Sequence, residues 1–316
     1  MSAGSRLHWA LLRRRNQGLR GLFALLVTML LVYVAFFPGI VSLNGIARLT
    51  QNWFPLAVVA MAQTLVMLTG GIDLTVGAMV SLGSVLAATL VGDSIAGATL
   101  GILAVLGAGA LTGGLMGSAI ALLRLPAIIV TLACSFIVAG LALLVLSRPG
   151  GAIPEPISEA LAGDLPTALG LLVLLVLAWR LFAATPAGLA IAAAGDNPTG
   201  AFRSGVRVPV AQIGAYAIAG GLTAFAGFFI AAQTGAGDPL IGDRLTLQSI
   251  TAAVLGGVGF LGGQGTMRGA LAGSLLLVVI IKLMFFLHLP AFAQYVAEGV
   301  IIIGAMAAHL LRRREA

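Results

Sequence analysis

Ten apolar stretches follow one another along the chain, and short polar or glycine-rich joints separate them. They fall at about 22–37, 54–70, 74–91, 98–123, 127–146, 167–183, 211–232, 247–261, 270–287 and 292–311. A helix needs about 20 apolar residues to cross the ~30 Å of bilayer hydrocarbon. In hydrocarbon the backbone groups must satisfy one another, which a helix does within one segment. The runs are continuous rather than alternating, so a transmembrane barrel is not expected. The pattern predicts an all-α, polytopic helical membrane protein of about ten transmembrane helices. Several runs are short or rich in glycine, and eight spans with re-entrant pieces is the other count the pattern allows.

Composition agrees with that class. The chain is 60% hydrophobic and 9% charged, whereas soluble domains carry roughly 25% charged residues. The net charge of +7 could suggest nucleic acid, but its distribution argues against such a partner. Sixteen of the seventeen basic residues are arginine, and most sit at the ends of apolar runs. Cytoplasmic loops collect arginine and lysine. With an even number of spans both termini lie inside, with Arg6, Arg13, Arg14, Arg15 and Arg20 at one end and Arg312, Arg313 and Arg314 at the other. Arg124, Arg203, Arg207 and Arg268 also fall inside, while Arg48, Arg148 and Arg244 fall outside. The expected organisation is a cytoplasmic tail over 1–21, one transmembrane domain over 22–311 and a short cytoplasmic tail over 312–316. Two loops exceed a tight connection: a proline-rich outer one at 147–166 and a polar inner one at 185–209. The first basic and apolar run is read as an uncleaved helix, because no small-x-small cleavage site follows it.

Few residues can carry chemistry. No phosphate-binding loop and no Gly-x-Ser-x-Gly nucleophile motif occur, and the three histidines lie at segment ends or in the tail. No catalytic, cofactor-binding or metal-binding residue is assigned, and Cys134, the single cysteine, reads as a small apolar residue. The acids and bases at membrane depth are Asp73, Lys282 and Glu298, and such residues are functional candidates by default. Asp73 stands in Thr69-Gly-Gly-Ile-Asp-Leu-Thr-Val-Gly77, a helix-break signature formed by Gly70, Gly71, Asp73, Thr75 and Gly77. Its expected local role is to cap the third span. Thr234-Gly-Ala-Gly-Asp238 echoes it on the opposite membrane face, which suits an inverted internal repeat. Gln63, Thr64, Gln248, Ser249 and Thr251 put polar side chains inside apolar runs. They either line a translocation path for an uncharged polar solute or make interhelical hydrogen bonds. With so few titratable groups in the spans, the energy source is expected outside the chain.

Four motifs carry a family resemblance over roughly 55–311. They are the signature at 69–77, Leu125-Pro-Ala-Ile-Ile-Val-Thr-Leu132, Ala194-Gly-Asp-Asn-Pro198 with Ala201-Phe-Arg-Ser-Gly205, and Gly256-Gly257 through Gly262-Gly-Gln-Gly265. In this the chain resembles the permease subunit of bacterial ABC importers of the ribose, or simple-sugar, type, within the branched-chain amino acid and ribose permease superfamily. The resemblance implies a bacterial inner-membrane protein that pairs with a second permease chain, as a homodimer or heterodimer. A separate cytoplasmic ATPase would use the ATP and dock around Gly195, Asp196, Asn197, Arg203 and Gly205, and a periplasmic binding protein would deliver the solute. The implied cargo is a small neutral polar solute such as a pentose, hexose or polyol. Met116, Thr246, Gln248, Lys282 and Glu298 depart from the family pattern and leave the cargo open. The alternatives are an ion-coupled secondary carrier, or an ABC permease for nucleosides or branched-chain amino acids.

Overall fold

The computed structural model describes residues 3–290, 292–297, 299–301 and 303–304, with side chains from residue 20 onward. Its helices are α1 (Ala3–Phe36), α2 (Leu43–Leu68), α3 (Val76–Leu90), α4 (Ile95–Leu123), α5 (Ala127–Val145), α6 (Glu155–Ala162), α7 (Thr167–Ala183), α8 (Pro186–Asp196), α9 (Pro198–Arg203), α10 (Val208–Thr234), α11 (Leu245–Leu255) and α12 (Met267–Phe286). A single 3-10 turn, Pro38–Val41, joins α1 to α2. The described residues from 292 onward are helical. The rest of the tenth apolar run, with Glu298 and Arg312 to Arg314, lies outside the described residues. Among the described residues no strand forms, and one isolated antiparallel bridge links Gly150 to Gly237.

Helix starts are written locally. Ser42, Ser94, Thr185, Asn197 and Thr266 each sit at an N-cap and accept a hydrogen bond from the backbone N–H of the glycine three residues on. That side-chain acceptor satisfies one of the donors a helix leaves unpaired at its first turn. The polar residue at each joint therefore fixes where the next apolar run begins to coil.

Helix lengths divide the apolar runs into two kinds. α2, α4, α5, α10 and α12 are long and apolar enough to cross a membrane, and α6 with α7 form a pair bent by 74°. α3 has 15 residues and α11 has 11. At 1.5 Å per residue they extend about 22 Å and 16 Å, short of the ~30 Å hydrocarbon. The run at 247–261 is therefore not one span: its helix stops at Leu255, and Gly257 takes φ +81°. These two half-length helices match the re-entrant pieces of the lower span count.

The halves of the chain exchange partners. α4 and α3 lie along α10, whereas α12 and α11 lie along α2. The close approach of α4 to α10 needs glycine at the crossing: a β-carbon on Gly113 would fall on the Tyr216 carbonyl oxygen, and one on Gly109 on that of Gly220. α2 and α10 thus form the centre, each clasped by a half-helix and a long helix from the other half. Such an exchange between halves is what an inverted repeat, expected from the two Thr-Gly…Asp stretches, would produce. The two long loops occupy opposite ends of the bundle. At one end α8 packs on the end of α2 through Leu65, Leu68, Ile191 and Ala194. At the other, Gln51 near the start of α2 donates to the Gly163 carbonyl at 2.6 Å. The α4 and α5 spans stay mostly uncovered along their apolar surface, with 17% and 22% of their most apolar 18-residue stretches buried.

Candidate functional site

The segment 69–75 breaks the chain between α2 and α3, and its conformation follows from its residues. Gly70 takes φ +83°, which a side chain would resist. A β-carbon on Gly71 would collide with the Tyr216 hydroxyl of α10. The Ile72 carbonyl accepts a 3.1 Å bond from the Thr131 hydroxyl of α5. Asp73, 1% exposed, accepts the Thr75 backbone N–H at 2.8 Å and also the Thr75 hydroxyl through the same carboxylate oxygen. These donors and the positive end of α3 meet its charge. Asp73 is not the cap itself. Thr75 occupies that position and its side chain caps nothing, because Asp73 has engaged the hydroxyl in a local turn two residues earlier.

A second broken segment, 235–244, runs from the end of α10 back along α3. Ser84 accepts the Asp238 N–H at 3.2 Å and Ser81 accepts the Gly242 N–H at 3.0 Å. The Gly77 N–H then donates to the Thr246 hydroxyl at 2.9 Å. The first turns of α3 and α11 therefore meet inside the bundle and point their positive ends toward one another. Arg244, expected in an outer loop, ends this segment, which the two serines hold along α3, and it is exposed.

The four motifs converge on the first break. Thr131, from the second motif, holds Ile72. Gly195, from the third, lies so close to α2 that a β-carbon there would overlap the Leu68 carbonyl oxygen. The Gly263 N–H, from the fourth, donates to that same Leu68 carbonyl at 3.0 Å. Gly262 lies between the Gly195 carbonyl and Gly70.

Around the loop at 185–209, Gly195 is buried while Asp196, Asn197, Arg203 and Gly205 are exposed. Asn197 caps α9 by accepting the Gly200 N–H at 2.8 Å. Phe202 beside Arg203 is 73% exposed. The loop thus turns one buried glycine toward the break and a mixed polar and aromatic face away from it.

The polar residues of the spans behave differently from one another. Thr64, Ser249 and Thr251 are buried and donate to carbonyls one turn back in their own helices, Ala60, Thr246 and Leu247. Among the described contacts these hydroxyls serve their own helices rather than bonds between helices. Gln63 is fully buried and neither amide atom has a hydrogen-bond partner in the structure. It lies one turn from Val66, which reaches Gly71, and from Met67, which packs with Ile250 and Val254 of α11. Gln248 is half-buried on α11. Sequence reading missed Tyr216, Ser81 and Ser84. Tyr216 is 1% exposed and its hydroxyl has no partner. The serines carried a faint signal as paired hydroxyls one turn apart on a short apolar helix.

With this fold and these motifs, the chain belongs to the family of branched-chain amino acid transport system permease components, whose model matches residues 45–306. It is a multi-pass membrane transport protein. Among curated proteins it is 36% identical over 248 residues to the inner membrane ABC transporter permease protein YjfF of Escherichia coli strain K12, covering 75% of this chain and 74% of that one. It is 34% identical over 262 residues to the autoinducer 2 import system permease protein LsrC of Salmonella typhimurium, covering 79% and 74%. The ribose import permease protein RbsC of Escherichia coli strain K12 is 29% identical over 298 residues, covering 91% and 92%. No solved structure matches the chain.

Proposed function

We propose that this chain is the membrane-spanning permease subunit of an ATP-binding-cassette importer for a small neutral polar solute, in the class of pentoses, hexoses, polyols and related sugars. It works as one of a pair of permease chains in a bacterial inner membrane, with both termini in the cytoplasm. A periplasmic binding protein hands the solute to the end that carries 147–166. A separate ATPase binds and hydrolyses ATP, and docks on Asp196, Asn197, Arg203 and Gly205. The observation that carries this reading is the contact of Gly195 with Leu68 and Gly263. It places the exposed α8–α9 segment directly on the break between α2 and α3. A push on that segment reaches Gly70 and Gly262 without an intervening side chain, and both stand where helices are already interrupted. The half-helices α3 and α11 are then the parts able to shift between inward and outward access.

The relatives support the choice of cargo, since two are named for import of ribose and of autoinducer 2. The test is coupling. In the assembled importer, Arg203→Glu should weaken ATPase docking and Gly195→Trp should force α8 away from Leu68. Both variants are expected to insert in the membrane and to lose uptake at least tenfold relative to ATP hydrolysed. Normal uptake by both would overturn the assignment of the docking segment.

A further inference from the structure

Asp243 and Arg244 are exposed, yet their segment enters the bundle. Arg244 precedes α11 directly, and Thr246, two residues on, binds Gly77 at the first turn of α3. From Gly77, α3 runs eleven residues to Ala88, whose carbonyl accepts the Ala152 N–H of the loop at that end. Eleven residues of helix rise about 17 Å, more than half of a ~30 Å hydrocarbon layer. Taking the Ala88–Ala152 contact as the level of the membrane surface, this length of helix sets the charged pair near mid-depth. The Arg244 guanidinium lies 4.6 Å from the ring centroid of Tyr295 in the last helix, and Tyr295 is 51% exposed. Gln248 follows one turn along α11 on the same side, its N–H bonded to the Arg244 carbonyl at 3.2 Å.

Arginine at that depth does not face lipid tails; such residues line water-filled cavities or the bundle interior. The chemistry of the group narrows its ligand. One carboxylate and one guanidinium sum to zero charge, so the site does not concentrate an ion of either sign. Together they offer acceptors and a planar fork of donors, and a half-open aromatic ring supplies an apolar platform. Few, convergent polar groups beside an aromatic surface are what fix a small ligand in a site.

We infer that Asp243, Arg244, Gln248 and Tyr295 form a mid-membrane subsite of the translocation path for a polyhydroxylated solute. Tyr295 takes the apolar face of the ring, Asp243 accepts from its hydroxyls and Arg244 donates to them. This rests on the importer reading above and adds to it the place where the cargo pauses.

The test uses the full-length chain in membrane vesicles, with Cys134→Ser as background. A charged, lipid-insoluble thiol reagent is applied to Arg244→Cys and, as an independent position should that variant fail to insert, to Gln248→Cys. Phe136→Cys, from an apolar side chain 73% exposed at the middle of α5, is the apolar mid-helix control. Labelling at 244 or 248 is expected to be at least tenfold faster than at 136. D-ribose or D-xylose at millimolar concentration is expected to slow it at least threefold, and L-leucine not to. Labelling no faster than at 136 would overturn the subsite. Slowing by leucine alone, or by none of the three, would overturn its assignment to polyhydroxylated cargo. Neither arm requires ATP, so a failure of ATP-driven uptake would count against the importer reading and leave this result standing.

Discussion

The backbone N–H of Gly77 donates to the Thr246 hydroxyl at 2.9 Å, and this one bond joins the starts of two helices that are 169 residues apart in sequence. It sits where both broken segments end and, with the Ser81 and Ser84 bonds, sets the register of one half against the other. Thr246→Val keeps the shape of the side chain and removes the acceptor. A buried donor left without a partner costs about 1–3 kcal/mol. Thermal unfolding of the purified chain in detergent is expected to shift downward for Thr246→Val and to remain near the parent for Thr246→Ser. An unchanged midpoint for the valine variant would mean that the two half-helices are held by packing alone.

Adjacent glycines on α4 should respond in opposite ways. A β-carbon at Gly113 meets the Tyr216 carbonyl oxygen, whereas one at Gly114 meets only the Ala217 side chain at 3.8 Å. Gly113→Ala forces α4 off α10, and overpacking of this kind costs about 1–3 kcal/mol. Gly114→Ala gains helix propensity of about 1 kcal/mol. Comparing detergent melting of the two variants checks the crossing of α4 and α10, with the midpoint lowered in the first and held or raised in the second.

Tyr216 offers a test of the first break. Its ring fills the space between α2, α4 and α10, while its hydroxyl rests against Gly71 without a hydrogen bond. Tyr216→Phe is expected to keep or raise stability, because it removes an unsatisfied buried group. Tyr216→Ala is expected to lower stability by roughly 3–5 kcal/mol, as large-to-small aromatic changes in a core do. A loss of stability in the phenylalanine variant would show that the hydroxyl has a partner the break supplies.

Asp73 should matter through its acceptor rather than its charge. Asp73→Asn retains an oxygen for the Thr75 N–H and hydroxyl, so it is expected to fold and insert. Asp73→Ala leaves both donors in a buried turn, a loss of about 1–3 kcal/mol for the N–H alone. Membrane yield and melting midpoint of the two variants distinguish these outcomes, and equal damage by both would point to the carboxylate charge.

The pattern of apolar runs was enough to place almost every long helix, since each run must satisfy its own backbone in the membrane. It could not separate full spans from half-helices. Composition around 74–91 and 247–261 is as apolar as elsewhere, and the difference lies in the turn at Asp73 and Thr75 that delays the start of α3 and in Gly257, at φ +81°, just past the end of α11. The course of 235–244 was hidden as well, because it depends on Ser81 and Ser84 of the distant α3. The motifs were legible as four separate stretches. Their meeting at Leu68, Gly70 and Ile72 was not, because it depends on contacts of α5, α8 and 257–265 with one short break. Of the polar residues chosen as a path, Thr64, Ser249 and Thr251 proved to be bonded within their own helices, a use that hydroxyls in apolar helices often find.

Transport in reconstituted vesicles tests the central claim most directly. The permease, its ATPase and its binding protein are sealed in proteoliposomes, and solute uptake is followed with and without ATP inside and with ion gradients collapsed by ionophores. The expected result is uptake that requires ATP and the binding protein and is indifferent to the ionophores. Uptake that persists without ATP and disappears with the ion gradient would contradict the importer account.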